Sequence, residues 1–289
     1  MTARLDRHEI SLTLRTLAKD PLAIWGTLVA FLFIADVMAV ALFGNMIAPY
    51  DPNYADLNLS FLPPSLKHLM GTDFLGRDIF SRVLVAAPID AQIAFTIVGV
   101  SALVGILLGS VAGYFGGKIG ELIMRVTDMF LAFPTLVMAV AVAVALGPGV
   151  NHLIEACLIV WWPVYARMAR AGALSLRETQ FVEAARAAGL SDLAIIRKHI
   201  IPNNISHLLI YATLDIGSAI LYASVLSYLG LGAQPPQSEW GRMVFDGQVY
   251  LARAWWVSLM PGLVILLIAL AFSLLGDFMR DVLDPRSRR

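Results

Sequence analysis

Charged residues are scarce in this sequence. Only 15% of its 289 residues are Asp, Glu, Lys or Arg, whereas 58% are hydrophobic and the mean hydropathy is +0.75. Soluble domains carry about 25% charged residues, so the composition excludes an ordinary soluble domain and predicts an integral membrane protein. The 21 basic residues balance the 21 acidic ones, and this neutrality predicts no nucleic-acid partner.

Metal-binding patterns are missing as well. Cys157 is the only cysteine, which excludes an internal disulfide and a cysteine-based metal cluster. None of the five His residues lies four positions from another His or from an acidic residue. We therefore predict no metal site in this chain.

Catalytic motifs are also absent from the sequence. Neither the G-x-S-x-G elbow of hydrolases nor the zinc motif H-E-x-x-H occurs. The closest approach to the phosphate-binding pattern G-x-x-x-x-G-K-[ST] lies at 112–119. There Ala112 replaces the first Gly of the pattern, and Ile119 replaces the final Ser or Thr. We therefore predict that the chain is not an enzyme, has no catalytic residues and binds no cofactor. Any ATP-driven work must come from another subunit.

Long apolar stretches are what the sequence has instead. A helix that crosses a bilayer core of about 30 Å needs about 20 predominantly apolar residues. A shorter stretch, 153–166, continues through Arg167 and Arg170 to residue 174 and is interpreted as a further span, with a re-entrant segment as the alternative. Five longer stretches meet the requirement outright: 22–48, 93–115, 126–146, 208–231 and 255–278.

Basic residues decide which loops face the cytoplasm. If the chain starts inside and crosses six times, 16 of the 21 Lys and Arg residues lie on the inner side and five on the outer side. This bias predicts an all-α integral membrane protein of six transmembrane helices with both termini cytoplasmic. The predicted order is a cytoplasmic amphipathic segment (1–21), a first span (22–48), an extracytoplasmic loop (49–90), a five-helix core (91–279) that includes a cytoplasmic loop (175–205), and a cytoplasmic tail (280–289).

Small residues recur in the second predicted span. Ser101, Gly105, Gly109 and Gly113 are four residues apart and therefore share one helix face. In lipid, small side chains let two helix backbones approach closely, which predicts a helix-packing surface here. An interface that moves during function is the alternative.

Acidic residues within the spans indicate function, because a charge in hydrocarbon is costly. Asp128 and Glu155 lie near span ends, where interfacial water lowers that cost. Asp36 and Asp215 lie nearer the middle of the first and fifth spans. These two residues are therefore candidates for lining a pathway or for facing each other.

The cytoplasmic loop contains the stretch EAARAAGLSDLAIIRKHIIPN at 183–203. Its Ala-rich first part predicts a helix that Gly189 interrupts, and Ser191 and Asp192 are good caps for a second short helix. Pro202 is predicted to stop that helix. Helical spacing places Leu193, Ile196 and Ile200 on one side, with Arg197 and Lys198 turned away, and an exposed apolar face of this kind predicts a protein partner.

This stretch resembles the EAA loop of binding-protein-dependent ABC transporter permeases, whose pattern is EAA, three residues, Gly and, after nine more residues, I-x-L-P. His199 replaces the first Ile of that pattern, a departure that resembles the peptide and nickel branch. In the family the loop forms the coupling helix that docks in a groove on the ATPase subunit, and the resemblance implies the same role here. The residues that fit the pattern are Glu183, Ala184, Ala185, Gly189, Ile201 and Pro202, with Ile201 standing for Leu.

Other motifs resemble the second permease subunit of dipeptide, oligopeptide and nickel importers. They are VTDMFLAFP at 126–134, YAR at 165–167, SYLGLGAQPPQSEWG at 227–241 and LLGDFMRDVLDPR at 274–286. Pro88-Ile89-Asp90 departs from the basic and aliphatic run that relatives usually carry. The outer-loop signature is GTDFLGRDIFSRVL at 71–84, with the candidate residues Gly71, Asp73, Gly76, Arg77 and Asp78.

The resemblance implies a permease of the type I ABC importer fold in a prokaryotic cytoplasmic (inner) membrane. The implied cargo is a short peptide or a related small solute, including chelated nickel. The implied partners are membrane lipid, a second permease subunit that is a different chain, two ATP-binding subunits and an extracytoplasmic solute-binding protein. ATP and magnesium would be bound by the ATPase subunits and not by this chain.

Two alternatives belong to other functional classes. A secondary carrier driven by protons through Asp36 and Asp215 would need no ATPase and predicts inverted repeats, which the sequence does not display. An intramembrane hydrolase would need a nucleophile and a base within hydrogen-bond reach of each other. No such arrangement is evident in the sequence.

Overall fold

A computed structural model describes residue 44 and residues 46–283, with side chains as far as residue 280. Helices make up nearly all of the regular structure in this part of the chain. Within these residues the only β pairing is a single bridge between Thr72 and Asp78. The first predicted span, 22–48, lies almost wholly outside the described residues. The α-helices are α1 (Ile79–Phe115), α2 (Gly117–Leu131), α3 (Thr135–Leu146), α4 (Val150–Arg177), α5 (Gln180–Ala187), α6 (Asp192–Ile195), α7 (Ile201–Tyr228), α8 (Trp240–Gln248) and α9 (Trp256–Leu283).

Helix α1 begins well before the apolar run that predicted it. The prediction placed a loop over 49–90 and a span from residue 93, whereas the helix starts at Ile79 and continues to Phe115. Asp78 caps its first turn, since the carboxylate accepts a hydrogen bond from the Ser81 backbone N–H. Polar residues in the early turns interrupt the hydrophobic run but leave the backbone hydrogen bonding intact, so hydropathy alone misplaces the helix start.

The small residues of α1 pack against α4, as their spacing predicted. A methyl group added at Gly109 would lie 2.2 Å from the Ala166 carbonyl oxygen and 2.8 Å from the Ala169 Cβ. Gly105 and Gly113 meet α4 equally closely, at 2.4 Å from the Tyr165 Cβ and at 2.6 Å from the Ala173 Cβ. Only hydrogen fits at these three positions, so the two backbones are in direct contact.

The predicted span 126–146 is not one straight helix. The structure divides it between α2 and α3, whose axes meet at 86° across a break of no more than four residues. Pro134 precedes the first residue of α3. Because the residue before a proline is pushed out of the helical conformation, the VTDMFLAFP motif contains its own helix break.

Helix α4 is continuous through the shorter predicted span. It runs for 28 residues from Val150 to Arg177 with Pro163 inside it. By length and composition three helices of the described residues can cross a membrane: α1, the helix from Asp192 to Tyr228, and α9. A fourth crossing follows if the bent pair α2 and α3 counts as one span, whereas α4 is not among these candidates and its assignment as a span stays a prediction. The count of six spans and the position of both termini remain predictions.

Pro202 does not end the helix that precedes it, which corrects the prediction. After α6, a π-helical segment (Ile196–Ile200) leads directly into α7. The Ile201 N–H bonds back to the Ile196 carbonyl five residues earlier, and Pro202 then occupies the first turn of α7. A proline is tolerated in a first turn, where its missing N–H costs no hydrogen bond, and the wider π turn resets the register before it.

Helix α9 exposes a long apolar face on the outside of the described structure. Its leucines on this face are 39–50% exposed, and the exposed polar residues Ser273 and Asp277 lie toward the end of the face. An exposed apolar surface of this length is stable against lipid but not against water. The exposed leucines are Leu259, Leu263, Leu266, Leu267, Leu270 and Leu274.

The α1–α4 contact can be tested with two glycines of the same helix. Gly109→Ala inserts a methyl group against the Ala166 carbonyl, and we expect it to lower the stability by about 1–3 kcal/mol. Gly99→Ala is the matched control, because its added methyl meets no atom of the described residues within 4 Å and alanine favours helix. Thermal unfolding in lipid nanodiscs measures both variants. Equal midpoints would contradict the close backbone contact.

Candidate functional site

The predicted cytoplasmic loop (175–205), here called the coupling loop, holds two short helices at a sharp turn. Gly189 makes the turn with a φ of +81°, which favours glycine. The N–H groups of Gly189 and Leu190 bond back to the carbonyls of Arg186 and Ala185, so the end of α5 is closed by the backbone itself. No described atom lies within 4 Å of an added Cβ at Gly189, and its requirement is therefore conformational rather than steric.

The EAA residues divide between the interior and the surface. Glu183 and Ala184 are exposed, whereas Ala185 is only 8% exposed and packs with Val182 into a small apolar cluster. The other buried members of this cluster come from the ends of α1 and α4, from α6 and from the π segment: Tyr114, Ala173, Ile195, Ile196 and Ile200.

The predicted apolar face of the second loop helix is partly wrong. Ile196 and Ile200 share a face as predicted, but they are buried within the chain, and Ile195 is the third residue of that face. Leu193 points away and is 74% exposed. Arg197 is exposed and so is the following lysine, as predicted. The spacing of residues shows which of them share a helix face. Which face is buried depends on how α6 packs against α1, and the spacing does not predict that.

Tyr114, at the end of α1, ties the coupling loop to the helix bundle. Its hydroxyl donates a hydrogen bond of 2.6 Å to the Asp192 Oδ1, and the Arg186 guanidinium lies 5.7 Å from the centre of its ring. The Asp192 side chain therefore binds Tyr114 instead of capping its own helix. Sequence reasoning missed Tyr114, because a tyrosine at the end of an apolar run gives no sign of a partner 78 positions away.

The outer-loop signature forms one tight turn in which every candidate residue has a structural role. The Asp73 carboxylate accepts from the Arg77 Nε at 2.7 Å and from the backbone N–H groups of Leu75 and Arg77. Gly71 and Gly76 have φ values of +76° and +75°, which favour glycine. The turn is thus held by a buried ion pair and by two glycine conformations.

The Asp78 carboxylate joins this turn to α1. Besides capping the helix, it accepts a hydrogen bond from the Ser81 hydroxyl at 2.7 Å and lies 2.9 Å from the His68 Nδ1. Asp78 and His68 are 2% and 5% exposed at their side chains. This carboxylate therefore anchors the segment that precedes α1 (49–78), here called the outer segment, as well as the helix itself.

A buried carboxyl group near the outer segment was also missed. Glu239 is 0% exposed, and its two oxygens accept the backbone N–H groups of Gly241 and Arg242 at the start of α8. Burial raises the pKa of the Glu239 carboxyl above its ordinary value. The Asp90 Oδ2 accepts the Trp240 N–H beside it, so residue 90 of the unusual Pro88-Ile89-Asp90 sequence contacts the SEWG motif.

Asp215 lies at the centre of a polar contact between α4 and α7. Its Oδ2 accepts hydrogen bonds from the Trp161 Nε1 at 2.6 Å and from the Tyr165 hydroxyl at 2.7 Å. Trp161 and Tyr165 are four residues apart on α4 and therefore share a face. Asp36, the other acidic candidate, lies outside the described residues.

A cavity of about 180 Å³ borders Asp215. It is enclosed by residues of α3, α4 and α7, with aromatic rings and hydroxyl groups in its wall. Among the described residues, no three His, Cys, Asp or Glu side chains are grouped so that they could hold a metal ion. The cavity therefore offers one carboxylate in an aromatic setting and does not offer a set of metal ligands.

Comparison with known proteins places these features in a family. Residues 105–289 match the family described as the inner membrane component of binding-protein-dependent transport systems, and residues 10–64 match the N-terminal transmembrane domain of oligopeptide transport permease C. The fold is similar to that of a chain in inward-facing crystals of the MetNI methionine ABC transporter. The TM-score is 0.58 at 18% identity, covering 71% of this chain and 98% of the other.

Curated relatives agree with the family match over most of the sequence. A probable D,D-dipeptide transport system permease of Escherichia coli K12 is 42% identical, over 90% of this chain and 88% of the relative. A di/tripeptide transport system permease of Pseudomonas aeruginosa is 42% identical, again over 90% and 88%. A glutathione transport system permease of Escherichia coli O6:K15:H31 is 44% identical, over 89% and 85%. The chain therefore belongs to the family of inner-membrane permease components of binding-protein-dependent transport systems.

Proposed function

We propose that this chain is one of two permease subunits of an ATP-driven importer that carries short peptides or a related small solute. Family membership supports the permease role, and the relatives named for dipeptides, di/tripeptides and glutathione favour a peptide-like cargo over chelated nickel. The observation that carries the proposal is the coupling loop, which is anchored by buried residues and presents a different set of residues outward.

The outward residues of the coupling loop suit a groove on an ATPase subunit. Leu193 and Phe181 expose 74% and 43% of their surface, and Glu183 and Ala184 are exposed beside them. Two apolar side chains supply area to bury, the small alanine allows close approach, and the carboxylate can pair with a basic residue. ATP and magnesium are then bound and used by two ATPase subunits, and this chain contributes no catalytic residue.

The route from this surface into the membrane is continuous. The coupling loop contacts α1 through the hydrogen bond between Tyr114 and Asp192, and a helix of 37 residues runs unbroken from Asp192 to Tyr228. A displacement imposed at Leu193 is therefore passed to two membrane helices, because packed elements move as rigid bodies between discrete arrangements. Ile201 and Pro202 lie at the joint, directly after the π segment.

Asp215 is proposed to face the solute pathway, and Asp36 remains the second pathway candidate from the sequence. A buried acidic residue in a membrane helix is costly unless it pairs with a partner or faces a polar cavity. Asp215 lines such a cavity. The second permease subunit, expected to be a different chain, would complete the pathway.

The outer segment is proposed to receive the solute-binding protein. Asp73, Arg77 and Asp78 hold it rigid from within, so that exposed side chains such as Tyr54 and Leu66 keep fixed positions. A rigid surface binds a partner with a smaller loss of conformational entropy.

The carrier alternative has no support from the comparisons. The family, the curated relatives and the structural neighbour belong to binding-protein-dependent or ABC transport systems. A carrier driven by protons through Asp36 and Asp215 is therefore not pursued.

Coupling can be tested with two exposed leucines that lie in different segments. Leu193→Asp places a charge on the proposed docking surface, and we expect at least a tenfold loss of ATPase association and of ATP-dependent uptake. Leu66→Asp, at a side chain that is 99% exposed in the outer segment, should leave ATPase association unchanged. Pull-down of the ATPase subunits measures association for both variants, and uptake in proteoliposomes is compared between Leu193→Asp and the parent. ATPase association of Leu193→Asp at the parental level would refute the docking surface.

Two residues of the EAA motif can be substituted to test the same docking surface. Glu183→Lys reverses an exposed charge and should weaken ATPase association without unfolding the chain. Gly189→Asp forces a side chain into a positive φ and should also displace the loop. Normal association and transport by both variants would contradict the assignment.

The ion pair of the outer segment makes a separate prediction. Asp73→Asn keeps the shape of the side chain but leaves Arg77 buried without a counter-charge, and we expect a loss of about 3 kcal/mol or more. Asp128→Asn breaks a pair with Arg167 whose side chains are 57% and 59% exposed, and it should cost less than about 1 kcal/mol. Thermal unfolding compares the variants, and binding-protein affinity should fall only for Asp73→Asn.

A further inference from the structure

The cavity beside Asp215 is lined by chemistry that suits an organic cation. It holds about 180 Å³ between α3, α4 and α7. The cavity is partly open and has room for the charged end of a small solute. The polar and aromatic groups in its wall are Thr135, Trp161, Tyr211, Asp215, Ser218 and Tyr222.

The Asp215 carboxylate is satisfied on one oxygen only. Trp161 and Tyr165 both donate to Oδ2, and no described residue donates to Oδ1. The residue is 6% exposed and lies in the wall of the cavity, so its carboxyl group is within reach of a ligand there.

No basic residue neutralises this carboxylate within the part of the chain that the structure describes. The ion pairs found there all join other acidic residues: Asp73, Asp78, Asp128, Glu178 and Asp246. The two donors on Oδ2 stabilise an ionised carboxylate, whereas burial opposes it. A carboxylate that borders a cavity and has no counter-charge among the described residues can accept a positive charge that arrives with a ligand.

The aromatic rings decide what kind of cation fits. Trp161 and Tyr222 meet edge to face with ring centres 4.9 Å apart, and Tyr165 and Tyr211 do so at 5.3 Å. Aromatic faces attract ammonium groups at short range. Calcium and magnesium need six or more oxygen ligands, many of them charged, whereas this wall supplies one carboxylate. The wall therefore favours an organic ammonium over an inorganic cation.

We propose that this cavity receives the primary ammonium group of the translocated solute, with the Asp215 Oδ1 accepting its hydrogen bond and the rings of Tyr211 and Tyr222 around it. The inference rests on the proposed function and makes it more specific: the cargo carries a free amino group. A short peptide with a free N-terminus has this chemistry.

The location on α7 links the site to the driving motion. Asp215 lies on the same unbroken helix as the coupling loop, whereas Trp161 and Tyr165 lie on α4. A shift of α7 relative to α4 changes the distance between the carboxylate and its two donors. The affinity for an ammonium group therefore differs between the conformations that ATP binding favours, and this difference allows release.

The test uses the assembled importer in lipid nanodiscs without its binding protein. Isothermal titration measures binding of Ala-Ala, of N-acetyl-Ala-Ala, which lacks the ammonium group, and of ethylammonium. We expect weak binding of Ala-Ala, at least tenfold weaker binding of the acetylated peptide, and competition by ethylammonium. Equal binding of the two peptides would overturn the proposal without the use of any variant.

Substitutions separate recognition from a purely structural role of the carboxylate. Asp215→Asn keeps an oxygen for Trp161 and Tyr165 but removes the charge, so Ala-Ala binding should fall at least tenfold. Asp215→Glu should restore part of it. Asp128→Asn is the control, because that acidic residue is exposed and lies away from the cavity, and it should bind Ala-Ala like the parent. Parental binding by Asp215→Asn would overturn the proposal.

A separate measurement isolates the proposed function itself. ATP-dependent uptake of Ala-Ala by the parent importer with its binding protein tests whether the complex imports peptides. If the parent imports none and binds none, the proposed cargo fails. If the parent imports Ala-Ala and Asp215→Asn imports it equally well, the importer assignment stands and only the ammonium site is refuted.

Discussion

Direct backbone contact between α1 and α4 is the constraint on which the other features depend. Apolar side chains gain little from each other in lipid, so helices there associate through close packing. Gly105, Gly109 and Gly113 supply it, with α4 atoms 2.2–2.6 Å from where a Cβ would stand. This contact fixes the end of α1 at which Tyr114 holds the coupling loop. It also fixes α4, which presents Trp161 and Tyr165 to Asp215. One face of small residues thus positions both the loop and the cavity.

The aspartates of this chain differ in their burial and in the hydrogen bonds that they accept. Asp73 and Asp78 are buried and accept several hydrogen bonds each, so they hold the outer segment in place. Asp128 is exposed with its arginine partner, where an ion pair contributes little. Asp215 is buried, yet the described residues donate to only one of its oxygens. A buried carboxylate that lacks hydrogen-bond partners is costly inside a membrane protein. This difference in hydrogen bonding distinguishes Asp215 from Asp73 and Asp78.

The coupling loop separates anchoring from recognition along one short sequence. Its isoleucines and Ala185 are buried against the chain's own helices, and this anchoring leaves Leu193, Phe181 and Glu183 to face outward. A loop that moved independently of the bundle could bind a partner but would transmit no displacement. Because the π segment joins it to α7 without a break, binding energy at the surface can act on the membrane helices.

The sequence by itself determined the features that depend on local composition and spacing: the helical class, the apolar stretches, the small-residue face of α1 and the glycine turn at Gly189. It also carried the EAA and outer-loop motifs that identified the family. Only the tertiary structure decided that the helix passes through Pro202, that the span 126–146 bends, and that Leu193 faces outward while Ile195 is buried. It alone brought Asp215 to Trp161 and Tyr165, which are 54 and 50 positions away. Helix propensity and hydropathy describe neighbours along the chain, whereas these outcomes depend on how distant helices pack, and that packing has no local signal.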